Sequence, residues 1–176
     1  MIPSKFNLLV TTYRRAEHEA GAELFSLLVE LGDKSPKIEL TGISGLLAVE
    51  TSIPADRVIE EVRRIIESEP WRIRYLLRLI PIEYVVDTDL SAIKRAVEQM
   101  VDRIKDNESF RVTVEKRHTN LSSKDIIDAV ASVVHRSVNL ENPDWIVLVE
   151  VVDGKTGLSI IKPHQILSVT SMKRGV

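Results

Sequence analysis

Apolar residues at helical spacing, set between short β-rich runs, constrain the first half of this chain more than any other feature. Ala20, Leu24, Leu27, Leu28 and Leu31 fall on one face of a helix predicted over residues 16–31, with Gly32 placed to end it. Val58, Ile59, Val62, Ile65 and Ile66 make a second stripe, entered near Pro54, where a missing N–H costs nothing, and stopped at Pro70. Phe6 to Thr12 reads as a strand before the first helix. Lys37 to Leu40 and Leu46 to Glu50 read as a hairpin around Gly42-Ile43-Ser44-Gly45. Trp71 to Ile80 alternates apolar residues with Arg72, Arg74 and Arg78 and is expected to be a fourth strand. The order βαββαβ predicts a ferredoxin-like domain over residues 1–80, an antiparallel sheet with both helices on one face.

Pro81 holds Ile80 in extended geometry, and the stretch to Asp89 reads as a joint rich in helix-capping side chains. Residues 81–176 then predict a second domain. A helix runs from Leu90 to Lys105 on Ile93, Val97, Met100, Val101 and Ile104. A strand covers Phe110 to Glu115, and a helix begins at Ser122 or Ser123 and runs to about Arg136. Trp145 to Val152 is a dense β run, turned by Asp153-Gly154 onto Leu158 to Ile161, and Ile166 to Thr170 gives a last short strand. The fold class expected is α+β, two small domains packed together.

Composition narrows the function. Without cysteine there are no disulfides, thiolate zinc sites or iron–sulfur clusters. Met1 to Val10 is too short for a signal peptide, no apolar run reaches membrane-spanning length, and no coiled-coil repeat occurs, so a cytoplasmic monomer is expected.

 The 24 basic and 26 acidic residues leave a net charge of -2, and neither half of the chain is basic, so any nucleic-acid surface has to be a local patch. Low aromatic content argues against an extended base-stacking platform. The four histidines are scattered without zinc spacing. No P-loop, dinucleotide fingerprint or nucleophile elbow occurs, and no cofactor is expected.

Two cationic groups stand out. Glu115-Lys116-Arg117-His118-Thr119-Asn120-Leu121-Ser122-Ser123-Lys124 carries a strand end through a polar loop into a helix N-terminus. It is either a solvated turn whose serine caps the helix, or a phosphate site built from Lys116, Arg117, Ser122, Ser123, Lys124 and helix N–H groups. Arg72, Arg74 and Arg78 share one parity of their predicted strand, which suits either a solvent face or a sugar–phosphate track that Arg14 and Arg15 would extend.

The second half resembles a THUMP domain from Asp89 to about Val169. The resemblance rests on Phe110 to Arg117, on Ser123-Lys124-Asp125-Ile126, and on Asn139-Leu140-Glu141-Asn142-Pro143-Asp144 ahead of a β run. It implies recognition of tRNA at the acceptor stem and 3′ end. It further implies a stand-alone accessory protein, not itself an enzyme, that presents tRNA to a separate RNA cytidine acetyltransferase making N4-acetylcytidine, as in archaea and eukaryotes. Lys116, Arg117, Asn120, Ser122, Ser123 and Lys124, with Arg111 as a neighbour, are the contacts it implies, while Arg72, Arg74 and Arg78 would follow the stem. The alternatives are an enzyme in its own right (a small hydrolase or transferase), a binding subunit for another tRNA modification, such as methylation or thiolation, and a protein-interaction module without RNA affinity.

Overall fold

The computed structural model describes residues 2–175. It divides into two compact units, Pro3–Ile82 together with the segment from His164, and Glu83–Pro163. The first unit begins with β1 (Leu8–Thr12), α1 (Glu17–Glu30), β2 (Lys37–Leu40), β3 (Leu46–Glu50), α2 (Ala55–Ser68) and β4 (Leu76–Pro81). The second holds β5 (Tyr84–Asp87), α3 (Leu90–Met100), β6 (Ser109–Glu115), α4 (Ser123–Ala131), β7 (Ser137–Val138), β8 (Trp145–Val152) and β9 (Lys155–Ile161). The chain then returns to the first unit as β10 (Leu167–Ser168) and α5 (Val169–Lys173).

In the first unit the strands lie in the order β10-β4-β1-β3-β2, and every pairing is antiparallel. Leu8 and Val10 of β1 and Leu47 and Val49 of β3 meet Leu24, Leu27 and Leu28 of α1 and Val58, Val62 and Ile65 of α2 in one core. Each aliphatic side chain so buried contributes about 1.5–3 kcal/mol, which is what holds two polar-backed helices on the sheet. Gly32, at φ 108, lets the chain leave α1 in the left-handed region.

Three sequence expectations change here. The strand predicted over Trp71 to Ile80 starts only at Leu76, because Pro70–Arg72 is a 3-10 turn. The Glu23 carboxylate on α1 accepts the backbone N–H groups of Arg74, Tyr75 and Leu76 at 2.6, 3.0 and 3.1 Å, which diverts amides that strand pairing would use. Residues 164–175, expected in a second domain over 81–176, return to the first unit. Leu167 pairs with Leu79, and Leu167 and Val169 enter the first core, so burial of two apolar side chains draws the tail back. The helix expected to run to Arg136 stops at Ala131. The Arg136 guanidinium instead donates to the Ile104 carbonyl at 2.9 Å, and Ser137–Val138 joins the sheet.

The second sheet has the order β5-β9-β8-β6-β7. β6 runs parallel to β7 and β8, and the other pairings are antiparallel. Both helices pack on one face, where Ile93, Val97 and Met100 of α3 and Ile126 and Val130 of α4 meet Phe110, Val147, Val149, Leu158 and Ile160. Each helix is entered through a side-chain cap. Asp89 accepts from the Ala92 N–H at 2.9 Å, and Ser122 from the Asp125 N–H at 3.0 Å.

Candidate nucleic-acid interface

The parallel strand β6 feeds α4 through residues 116–122, so this loop sits beyond the carboxyl end of a strand and over a helix N-terminus. That position exposes backbone N–H groups and the positive end of the helix dipole. The loop is held from three sides. Asp153 in the β8–β9 turn donates its N–H to the Arg117 carbonyl at 2.9 Å. Lys116 Nζ donates to the Leu121 carbonyl at 3.2 Å, and Thr119 Oγ1 accepts from the Leu121 N–H at 3.2 Å. His118 takes φ 57, a left-handed conformation that directs the chain back toward the helix.

The polar side chains of this segment divide into engaged and available groups. Arg117 donates to the Glu150 carboxylate on β8 at 3.1 Å, with Glu150 fully buried and the Arg117 side chain only 18% exposed. It is an ion pair tying the loop after β6 to β8. Lys124 pairs with Asp128 one turn along α4 at 2.7 Å, and the hydrogen bond to that carboxylate raises its pKa. Lys116 forms no ion pair among the described residues and is exposed, as are His118, Asn120 and Ser122. Ser122 uses an oxygen lone pair to cap α4 and keeps its O–H to offer. Ser123 stands half-buried in the first turn.

Arg111 lies back along β6, opposite Ile146, and donates to the Leu140 carbonyl at 2.9 Å. Four residues of strand separate it from the end of β6, about 13 Å, so it is not part of the loop cluster. The structure also separates the other arginines expected to share a strand face. Arg72 lies in the 3-10 turn and pairs with Glu69 at 2.9 Å and Glu30 at 3.6 Å. Arg74 precedes β4, its guanidinium 5.7 Å from the Tyr75 ring centroid. Only Arg78 is on β4, opposite Thr11 on one side and Ser168 on the other. Among the described residues, no group of three or more His, Asp or Glu is placed to hold a metal ion, and no helix is long and apolar enough to cross a membrane.

Sequence reasoning missed Glu150, the residue that decides what Arg117 does. Its signal was present, as the single acid inside the apolar run Trp145 to Val152. An ionised side chain in a strand buried on both sides needs a cation from its neighbour.

The second unit carries a parallel-strand crossover with a polar loop over a capped helix. Residues 87–161 match the family model of the THUMP domain, and the chain contains a THUMP domain over that span. An uncharacterized protein of Methanocaldococcus jannaschii is 33% identical over 122 residues, which covers 66% of this chain and 34% of that protein. The chain therefore spans about a third of the length of this curated relative. A solved structure from Pyrococcus horikoshii has the same fold with a TM-score of 0.64 and 20% identity, over 89% of this chain and 55% of that one. A 4-thiouridine synthetase solved with RNA and bound ATP aligns with a TM-score of 0.58 and 12% identity, over 93% of this chain and 42% of its own. A predicted N6-adenine-specific DNA methylase of Listeria monocytogenes aligns with a TM-score of 0.56 and 15% identity, over 88% and 40%.

These neighbours correct one expectation. The chain was read as not an enzyme, yet its fold runs through a synthetase and through a chain described as a methylase. The fold is thus no mark of a non-catalytic protein.

Proposed function

We propose that this chain is the tRNA-binding part of a tRNA-modifying enzyme or enzyme assembly, and that it contacts RNA through the loop between β6 and α4. The observation that carries the reading is the THUMP match over residues 87–161, which includes that whole loop. The synthetase that shares the fold was solved with RNA, which supports the same ligand class. Physical chemistry agrees with it. A-form RNA keeps its major-groove base edges in a deep, narrow groove that side chains cannot read, so recognition rests on shape, phosphates, 2′-hydroxyls and unpaired ends. Lys116 supplies a cation without a competing carboxylate, Asn120 and Ser122 supply hydrogen-bonding groups for ribose or phosphate, and the α4 N-terminus favours an anion.

The acceptor stem with its 3′ end is the proposed target. The N-terminal unit is read as a ferredoxin-like platform accompanying the THUMP domain. The modification itself is left at the level of thiolation or methylation, which the neighbours' descriptions favour over the N4-acetylcytidine chemistry of an RNA cytidine acetyltransferase. The test is a salt titration of the purified chain against total tRNA and against tRNA lacking its single-stranded 3′ end. Binding that falls steeply with salt and weakens on end removal is the expected result. Absence of binding at low salt would overturn the reading and favour a protein-interaction module.

A further inference from the structure

At one end of the first sheet, outside the THUMP match over residues 87–161, the turn after β1 lies beside the segment that leads into β4. Tyr13-Arg14-Arg15 follows β1, with Arg15 at φ 67 and the turn closed by the Ala16 N–H on the Tyr13 carbonyl at 3.1 Å. β4 begins beside it. Thr12 is paired with Leu76, and its hydroxyl donates to the Tyr75 carbonyl at 2.7 Å, so the turn emerges next to Arg74 and Tyr75.

Two acids close to this turn are occupied with backbone amides. Glu17 accepts the Gly45 N–H at 2.8 Å, which holds its carboxyl below the usual carboxylate range, and Gly45 in turn accepts the Thr12 N–H at 2.9 Å. Glu23 accepts the three amides of residues 74–76. Arg14, Arg15 and Arg74 therefore form no ion pair among the described residues, and all three are exposed. Tyr13 is 52% exposed, and Leu8 and Val10 of the strand before it lie in the core.

We propose that Tyr13, Arg14, Arg15 and Arg74 form a second RNA-contact site, which takes an unpaired nucleotide with its base on the Tyr13 ring and its flanking phosphates on the guanidinium groups. The proposal rests on the reading that the chain binds RNA. An aromatic face accepts any base that has left its stack, and arginine forks match phosphate oxygens two at a time. A paired base keeps its face covered, so the site selects single strands. One ring and three cations suit one or two nucleotides, which fits the low aromatic content of the chain.

The experiment compares the full chain with Tyr13→Ala, Tyr13→Phe and the pair Arg14→Gln/Arg15→Gln, using short oligouridylate, blunt RNA duplex and total tRNA as probes. Tyr13→Ala should weaken oligouridylate binding about 5- to 100-fold, the range set by loss of one base–aromatic stack. It should leave duplex affinity and the melting temperature unchanged, and Tyr13→Phe should restore binding. The arginine pair should flatten the salt dependence for oligouridylate by about 1.4 in log–log slope, and it carries the test if Tyr13→Ala does not fold. Oligouridylate affinity unchanged in both Tyr13→Ala and the arginine pair overturns this site. If total tRNA still binds and Lys116→Gln weakens it, only this site falls. If the unmodified chain binds none of the three probes, the RNA-binding reading falls with it.

Discussion

Replacing Arg117 should damage stability far more than RNA affinity. The guanidinium lies 3.1 Å from a Glu150 carboxylate that has no solvent exposure, so Arg117→Met leaves that charge in the interior of the sheet without its cation. Breaking one side of a buried pair typically costs about 3–5 kcal/mol. For a chain of this size that lowers the melting temperature by about 6–20 °C. The chain has two tryptophans. A Trp71→Phe background therefore leaves Trp145, at the start of β8, as the reporter of the second unit. Urea unfolding followed by its fluorescence should show the loss, and adding Glu150→Leu should recover most of it, because the buried carboxylate that Arg117 answered is gone. In the same background Lys116→Gln should leave the unfolding curve in place, weaken tRNA binding and lower the salt slope by about 1. A normal unfolding midpoint for Arg117→Met, combined with a loss of tRNA binding equal to that of Lys116→Gln, would refute the assignment of Arg117 to the fold.

Two further outcomes follow from the first unit. The Asp33 carboxyl is held below the usual carboxylate range, first by the Thr51 hydroxyl at 2.5 Å and then by the Ser35 and Ser52 N–H groups. A depressed folded-state pKa gives stability that is present above the unfolded value and lost as pH falls through the folded one. Acid unfolding below about pH 4 should therefore be steeper in the native chain than in Asp33→Asn. Gly45, at φ 74, would place a Cβ 2.8 Å from the Thr12 carbonyl oxygen, so Gly45→Ala should destabilise by more than about 1 kcal/mol, measured by urea unfolding.

What the sequence disclosed and what it withheld divide along the range of the interactions. The stripe Val58 to Ile66 and the capped starts of α3 and α4 are local signals, set by side chains three or four residues apart, and the structure takes Asp89 among the capping candidates of residues 87–89 and Ser122 over Ser123. The start of β4 depends on Glu23, some fifty positions away in α1, and the fate of the tail depends on a core assembled from the opposite end of the chain. The candidate site shows the same division. That residues 116–124 bridge a strand and a helix N-terminus was legible. Which of its cations stay available was not, because Arg117 is claimed by a carboxylate on β8 that no periodicity links to it.

That sorting also answers the objection raised by the net charge of -2. Glu150 answers Arg117, Asp128 answers Lys124, Glu69 and Glu30 answer Arg72, and Asp87 answers Lys155, so these acids and bases cancel locally. Lys116, Arg14, Arg15, Arg74 and Arg78 have no such partner among the described residues. Counterion release counts only cations that meet phosphates, not the balance of the chain. Three to five contacts from this set give a log–log salt slope of about 2–4.5 at roughly 0.7–0.9 per contact. A slope of that size would show that the unpaired cations carry the binding. Tight binding with a slope near zero would mean that tRNA is held by uncharged groups, and the electrostatic part of the proposal would have to be abandoned.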